Sequence, residues 1–66
     1  MNAEIINPST LAEDGKKEYA KNNFKAAAMI FAQAAQAYAS MQDQLNAAEM
    51  KNNESVALQS SNHFKR

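Results

Sequence analysis

Residues 19 to 38 read YAKNNFKAAAMIFAQAAQAY, and this stretch decides the fold. Three aromatic residues recur in it at intervals of seven, and alanines occupy most of the positions between them: Phe24, Phe31 and Tyr38. Seven residues make about two helical turns, so the three rings lie on one face of a helix. Large rings that alternate with methyl groups are typical of helices that interlock with their neighbours. We therefore predict a helix over residues 24–41 with the rings in the core.

A second apolar patch lies on another side of this helix and consists of Met29, Ile30 and Ala37. A helix that is apolar on two sides buries both of them against neighbours. The pattern predicts that this helix is enclosed between two others.

The first helix is predicted over residues 9–21, with Thr10 and Glu13 at the spacing of a capping box. Gly15 falls inside it, where glycine costs up to about 1 kcal/mol relative to alanine, so we expect another backbone to approach closely there.

Asn22 and Asn23 follow the first helix. Asparagine tolerates the left-handed conformation that ends a helix and also serves well as an N-cap, so this pair predicts a tight turn between antiparallel helices.

The third helix is predicted over residues 44–60, with Asp43 as its N-cap and with apolar residues Leu45, Ala48, Met50, Val56, Ala57 and Leu58. Ser60, Ser61 and Asn62 predict its end, which leaves residues 61–66 as a tail. The expected fold is all-α: a three-helix antiparallel bundle, in which one helix-turn-helix is followed by a third, capping helix, in a single domain over residues 1–66.

The sequence also indicates an internal repeat with a period of forty residues, because NNFK at 22–25 corresponds to NHFK at 62–65. The match predicts that the turn after the first helix recurs after the third. It makes the first and third helices equivalent and describes one helical hairpin plus half of the next.

Composition argues against several classes of protein. Seven basic residues offset seven acidic ones, which is unlike the clustered basic charge of a nucleic-acid-binding protein. There is no cysteine, and the single histidine, His63, has no metal-ligating neighbours, so we expect no metal, no cofactor and no catalytic residues.

The longest apolar run, Ala26 to Ala32, is far below the roughly 20 residues of a membrane span. The start MNAEIINPST does not resemble a secretory signal, so we expect a cytoplasmic protein.

The segment from Leu11 to Tyr38 resembles a helical hairpin of the tetratricopeptide repeat family, on the residues Gly15, Tyr19, Phe24, Ala27, Phe31 and Ala34. It departs from the family pattern at Asp14, where a large aliphatic residue is usual, and it lacks the proline that commonly follows the second helix. Residues 19 to 38 are also similar to the microtubule-interacting-and-transport domain, a three-helix domain of about this size. That family is the alternative.

The tetratricopeptide resemblance implies a function in protein–protein contact and not an enzyme. In such proteins the first helices line a concave surface that holds peptides. Carried over to this chain, the partner-binding residues are Lys16, Tyr19, Asn52, Val56 and Gln59. On this basis we expect an adaptor that binds a partner peptide or helix. Two alternatives remain: a self-assembling structural unit that forms homo-oligomers through exposed apolar helix faces, and a small regulatory protein that binds one large partner.

Overall fold

The computed structural model describes residues 7–64, and for Phe64 the backbone alone. This part of the chain folds into three helices and contains no strand: α1 (Pro8–Ala20), α2 (Phe24–Ser40) and α3 (Gln44–Phe64). The central helix, α2, packs against both α1 and α3. The prediction of an all-α, three-helix fold is confirmed.

The aromatic row of α2 lies in the core, as predicted. Phe24 and Phe31 are buried and Tyr38 is half-buried against the same cluster. Alanines on both flanks of this row are buried as well, and they let the neighbouring helices approach α2: Ala27, Ala28, Ala34 and Ala35. On one flank Leu11 of α1 and Ala37 line the same surface pocket, and on the other Ala47 of α3 and Ala35 line another. The rings therefore project between two helices that are held close by small side chains.

α1 and α2 approach each other closely at Gly15. A Cβ atom added there would lie 2.6 Å from Cε1 of Phe31 and 2.8 Å from its Cδ1. The expected close contact is thus present, but the partner is a ring edge and not a second backbone. Any larger residue at this position would push the ring or the helix away.

Both connections between helices use the same turn. After α1, Asn22 has a φ of 67°, its N–H donates to the Tyr19 carbonyl at 3.0 Å, and the N–H of Asn23 donates to the Glu18 carbonyl at 2.9 Å. These are the two bonds of a Schellman motif. The motif returns after α2, where Gln42 has a φ of 63° and the N–H of Asp43 donates to the Tyr38 carbonyl. Asn22 closes α1 as predicted.

The helix starts differ in part from the prediction. The N-cap of α1 is Asn7 and not Thr10, since Oδ1 of Asn7 accepts a hydrogen bond from the Ser9 N–H at 3.0 Å. Pro8 then occupies the first turn, where its missing N–H costs nothing. The predicted N-cap of α3 is correct, because Asp43 accepts hydrogen bonds from the backbone N–H and the side-chain amide of Asn46.

The helix ends also differ. α1 stops at Ala20 and α2 at Ser40, one residue before each predicted end, because Lys21 and Met41 are the C-caps. α3 continues to Phe64, four residues beyond its predicted end. The serines and asparagine expected to stop α3 are weak helix formers, but packing overrides that preference: Ser60 is half-buried and bonded to α1.

The helical backbone at Asn62 contradicts the forty-residue repeat at its second copy. Among the described residues other than glycine, only Asn22 and Gln42 have a positive φ, so the turn does not recur at Asn62. The tail prediction is wrong for residues 61–64, while 65–66 lie outside the described residues.

The apolar residues predicted for α3 are largely on its surface. Of the predicted set only Met50 and Ala57 are buried, and the helix also buries Ala47. The other four are exposed: Leu45, Ala48, Val56 and Leu58.

Of the predicted second apolar patch on α2, Met29 is 64% exposed, while Ile30 and Ala37 are half-buried, so the patch is only partly covered. α2 lies between two helices because one broad face contacts both of them.

Substituting Gly15 tests the ring contact. Alanine favours a helix over glycine by about 1 kcal/mol, so an unconstrained site would be stabilised. We expect Gly15→Ala instead to lower the free energy of unfolding by roughly 1–3 kcal/mol, the usual cost of overpacking a core. Urea unfolding followed by circular dichroism measures this. The same change should cost less in a Phe31→Leu background, which lacks the ring edge; a higher midpoint for Gly15→Ala alone would contradict the contact.

The turn after α1 predicts a dependence of stability on pH. A hydrogen bond from the Asn23 amide to Oε1 of Glu18, at 2.8 Å, lowers the pKa of Glu18, and Lys21 at 3.5 Å lowers it further. A carboxylate whose pKa falls on folding stabilises the fold above its unfolded pKa, and that contribution disappears as the pH drops through the folded value. We expect Glu18→Gln to be destabilising at neutral pH and to converge with the parent in acid. Glu13→Gln, at an exposed position of the same helix, is the control; a difference that persists unchanged in acid would contradict the assignment.

Candidate functional site

A groove between α1 and α3 is the candidate site, and we call it the α1–α3 groove. Its volume is about 320 Å³, and it is lined by Lys16, Tyr19, Ala20, Phe31, Asn53 and Val56. The edge of the Phe31 ring forms its floor, because the aromatic row of α2 projects between the two flanking helices. The lining is mostly apolar, with polar groups at the rim.

Helical spacing places these residues. Lys16 and Ala20 are four residues apart near the end of α1, and Asn53 and Val56 are three apart on α3. Such pairs project from the same face of a helix, so each helix contributes one wall of the groove. A shallower pocket continues along α3 beyond Val56 and is lined also by Gln59, Ser60 and His63.

Tyr19 ties the two walls together at one end. Its hydroxyl lies 2.8 Å from Oγ of Ser60 on α3, within hydrogen-bond distance. Its ring meets Phe24 edge-on, with the centroids 4.9 Å apart and the planes at 66°. The tyrosine therefore bridges all three helices, and its hydroxyl is already engaged within the fold.

Two rim groups are left with unused bonding capacity. Lys16 is exposed and has no ion-pair partner among the described residues, where the one ion pair joins Lys21 to Glu18. The side-chain amide of Asn53 is half-buried and makes no hydrogen bond to any described residue. An ammonium group and an amide beside an apolar floor suit a ligand that combines an apolar side chain with a carboxylate or a peptide bond.

The structure brings together some of the predicted site residues. Lys16, Tyr19 and Val56 line the groove, and Gln59 lies in its continuation. Asn52 is exposed and does not line the groove, while its neighbour Asn53 does. Asn53 was not among the residues carried over from the family resemblance, and no feature of the sequence singled it out.

Lysines are concentrated near the groove. Lys17, Lys21 and Lys25 accompany Lys16 at the end of the molecule where α1 ends and α2 begins. The acidic residue among them, Glu18, is paired with Lys21. Lys16 is the one charged residue that lines the groove, so the rim carries a positive charge although the whole chain has no net charge.

The described residues contain no group of three or more histidine, cysteine, aspartate or glutamate side chains that could hold a metal ion. None of the described helices is long and apolar enough to cross a bilayer.

Comparison with known proteins gives no relative: no family model, no curated protein and no solved structure matches this chain. The function must therefore be argued from the groove and its surroundings.

Proposed function

We propose that the protein is a non-enzymatic interaction module, of the tetratricopeptide-repeat-like type, that acts as a cytoplasmic adaptor and binds a partner peptide or helix in the α1–α3 groove. The observation that carries the proposal is the combination of an apolar floor at Phe31 with two rim groups, Lys16 and Asn53, that have no partners among the described residues.

The size of the groove suits a side chain of a partner and not a large ligand. Its 320 Å³ lies at the lower end of the range of roughly 300–1,000 Å³ typical of ligand pockets. One or two apolar side chains fill such a volume. An interface then needs a surrounding ring of polar contacts, which Lys16, Asn53 and Gln59 can supply.

The walls favour a partner that lies along the helices. α1 and α3 both pack against α2 and run in the same direction, so the groove follows their length. A helix that presents apolar residues at every third or fourth position can place successive side chains along such a channel. An extended segment can do so with alternate residues.

Selection from a displayed peptide library tests this proposal with the protein as it is. We expect peptides that combine an apolar anchor with acidic residues, because the floor is apolar and the rim electropositive. Val56→Lys introduces a charge into the wall and should weaken the selected peptides by more than about tenfold, which is roughly 1.4 kcal/mol. The single variant Lys16→Glu should also weaken the binding of the selected peptides, and this loss of affinity should be smaller at high salt.

Met29→Lys is the matched control, since Met29 is exposed on α2 away from the groove. It should leave the affinity unchanged. Peptides that lose affinity in Met29→Lys but bind Val56→Lys and Lys16→Glu normally would contradict a binding site in the groove.

A further inference from the structure

Charge is separated along the molecule. The antiparallel helices bring the C-terminal halves of α1 and α3 to the start of α2, and we call this the basic end. Of the five lysines in the described residues, all but Lys51 lie there: Lys16, Lys17, Lys21 and Lys25. The opposite end, where α2 turns into α3, carries Asp43 and Glu49. A neutral chain thus has oppositely charged ends.

The acidic end also carries exposed apolar side chains. Met41 and Leu45 flank the turn between α2 and α3, and they are 61% and 80% exposed. We call these two residues the apolar tip. Glu49 is exposed and lies four residues after Leu45, on the same face of α3. The tip therefore presents an apolar side chain with a carboxylate one helical turn away.

The α1–α3 groove has the complementary arrangement and lies nearer the middle of the molecule, at Phe31 of α2 and Asn53 of α3. It offers an apolar floor at Phe31, an apolar wall at Val56 and an ammonium group at Lys16. Its volume of about 320 Å³ is large enough for a leucine side chain. One chain therefore carries both an exposed apolar side chain with a nearby carboxylate and an apolar groove with a nearby ammonium group.

We infer that a second copy of this chain is an occupant of the groove: Leu45 of one copy enters the groove of the next, and its Glu49 pairs with Lys16. This inference rests on the proposed function, since it names a partner for the same groove. The two surfaces differ, so each contact is heterologous; repeated in one direction it joins copies head to tail, and two copies that bind each other reciprocally form a dimer. One apolar side chain and one exposed ion pair make a small interface, so the association is weak and sensitive to salt.

Two variants, each of which keeps only one of the two contact surfaces, provide the test. Leu45→Asp removes the apolar tip and keeps the groove, and Val56→Lys blocks the groove and keeps the tip. Both residues are exposed, so both variants should fold, which circular dichroism verifies. Sedimentation equilibrium of the parent chain from about 10 μM to about 1 mM, a range that covers weak association, should show an average mass that rises above that of the monomer.

Each variant alone should stay monomeric, and a mixture of the two should form a dimer with one molecule of each. The ion pair between Glu49 and Lys16 is tested separately by reversing its charges. Lys16→Glu should weaken self-association of the parent by about tenfold or more. Adding Glu49→Lys to the same chain should restore it, because the double variant exchanges the two charges and every contact between copies again pairs a carboxylate with an ammonium group.

A parent chain that remains monomeric at about 1 mM would overturn the inference, and so would an associating parent whose two variants fail to pair. The second result would indicate a symmetric interface elsewhere. Neither result removes the proposed function, which fails separately if selected peptides bind Val56→Lys as well as they bind the parent.

Discussion

The contact between the Phe31 ring and Gly15 is the constraint on which the rest of the structure depends. The ring edge occupies the space that a Cβ atom would fill, so α1 can lie against the aromatic row of α2 only because position 15 has no side chain. The ring is 3% exposed, and alanines beside it allow both flanking helices to approach. The glycine lowers helix propensity locally, and the close packing that it permits compensates for this cost.

The same contact produces the groove. A ring that projects between two helices is covered on its flanks by their side chains, and its remaining edge becomes the floor of the channel that separates them. Tyr19 holds the walls at a fixed separation through its bond to Ser60 and its contact with Phe24. The same aromatic row thus fills the core and lines the candidate site, so substitutions in the core are expected to change the groove.

Much of this was predictable from the sequence, because seven-residue spacing of Phe24, Phe31 and Tyr38 admits one helical interpretation. Asn22 likewise marked the first turn, since asparagine is a common left-handed residue. Gln42 adopts the same conformation after α2, but glutamine has no comparable preference and carries no signal. The turn there is imposed by the Schellman hydrogen bonds and by the cap at Asp43.

The third helix shows why the rest of the site escaped prediction. Both of its leucines, Leu45 and Leu58, are exposed, while its buried residues include the small side chains Ala47 and Ala57. The large apolar residues therefore do not mark the buried face of α3. Asn52, which was taken from the family resemblance, does not line the groove, whereas its neighbour Asn53 does. The separation of charge was hidden for a different reason: net charge sums over the chain, and only the antiparallel fold gathers the lysines at one end.

Replacing Phe31 by alanine and measuring urea unfolding by circular dichroism tests the central role of the aromatic row most directly, with Met29→Ala as the control at an exposed position of the same helix. Truncation of a buried phenylalanine costs roughly 3–5 kcal/mol, and a domain of this size has a total stability of only about 3–10 kcal/mol. The account predicts that Phe31→Ala loses most of the signal of all three helices together at 25 °C, or unfolds at a much lower urea concentration, while Met29→Ala behaves like the parent. A Phe31→Ala chain that unfolds cooperatively at the parent's midpoint would contradict it.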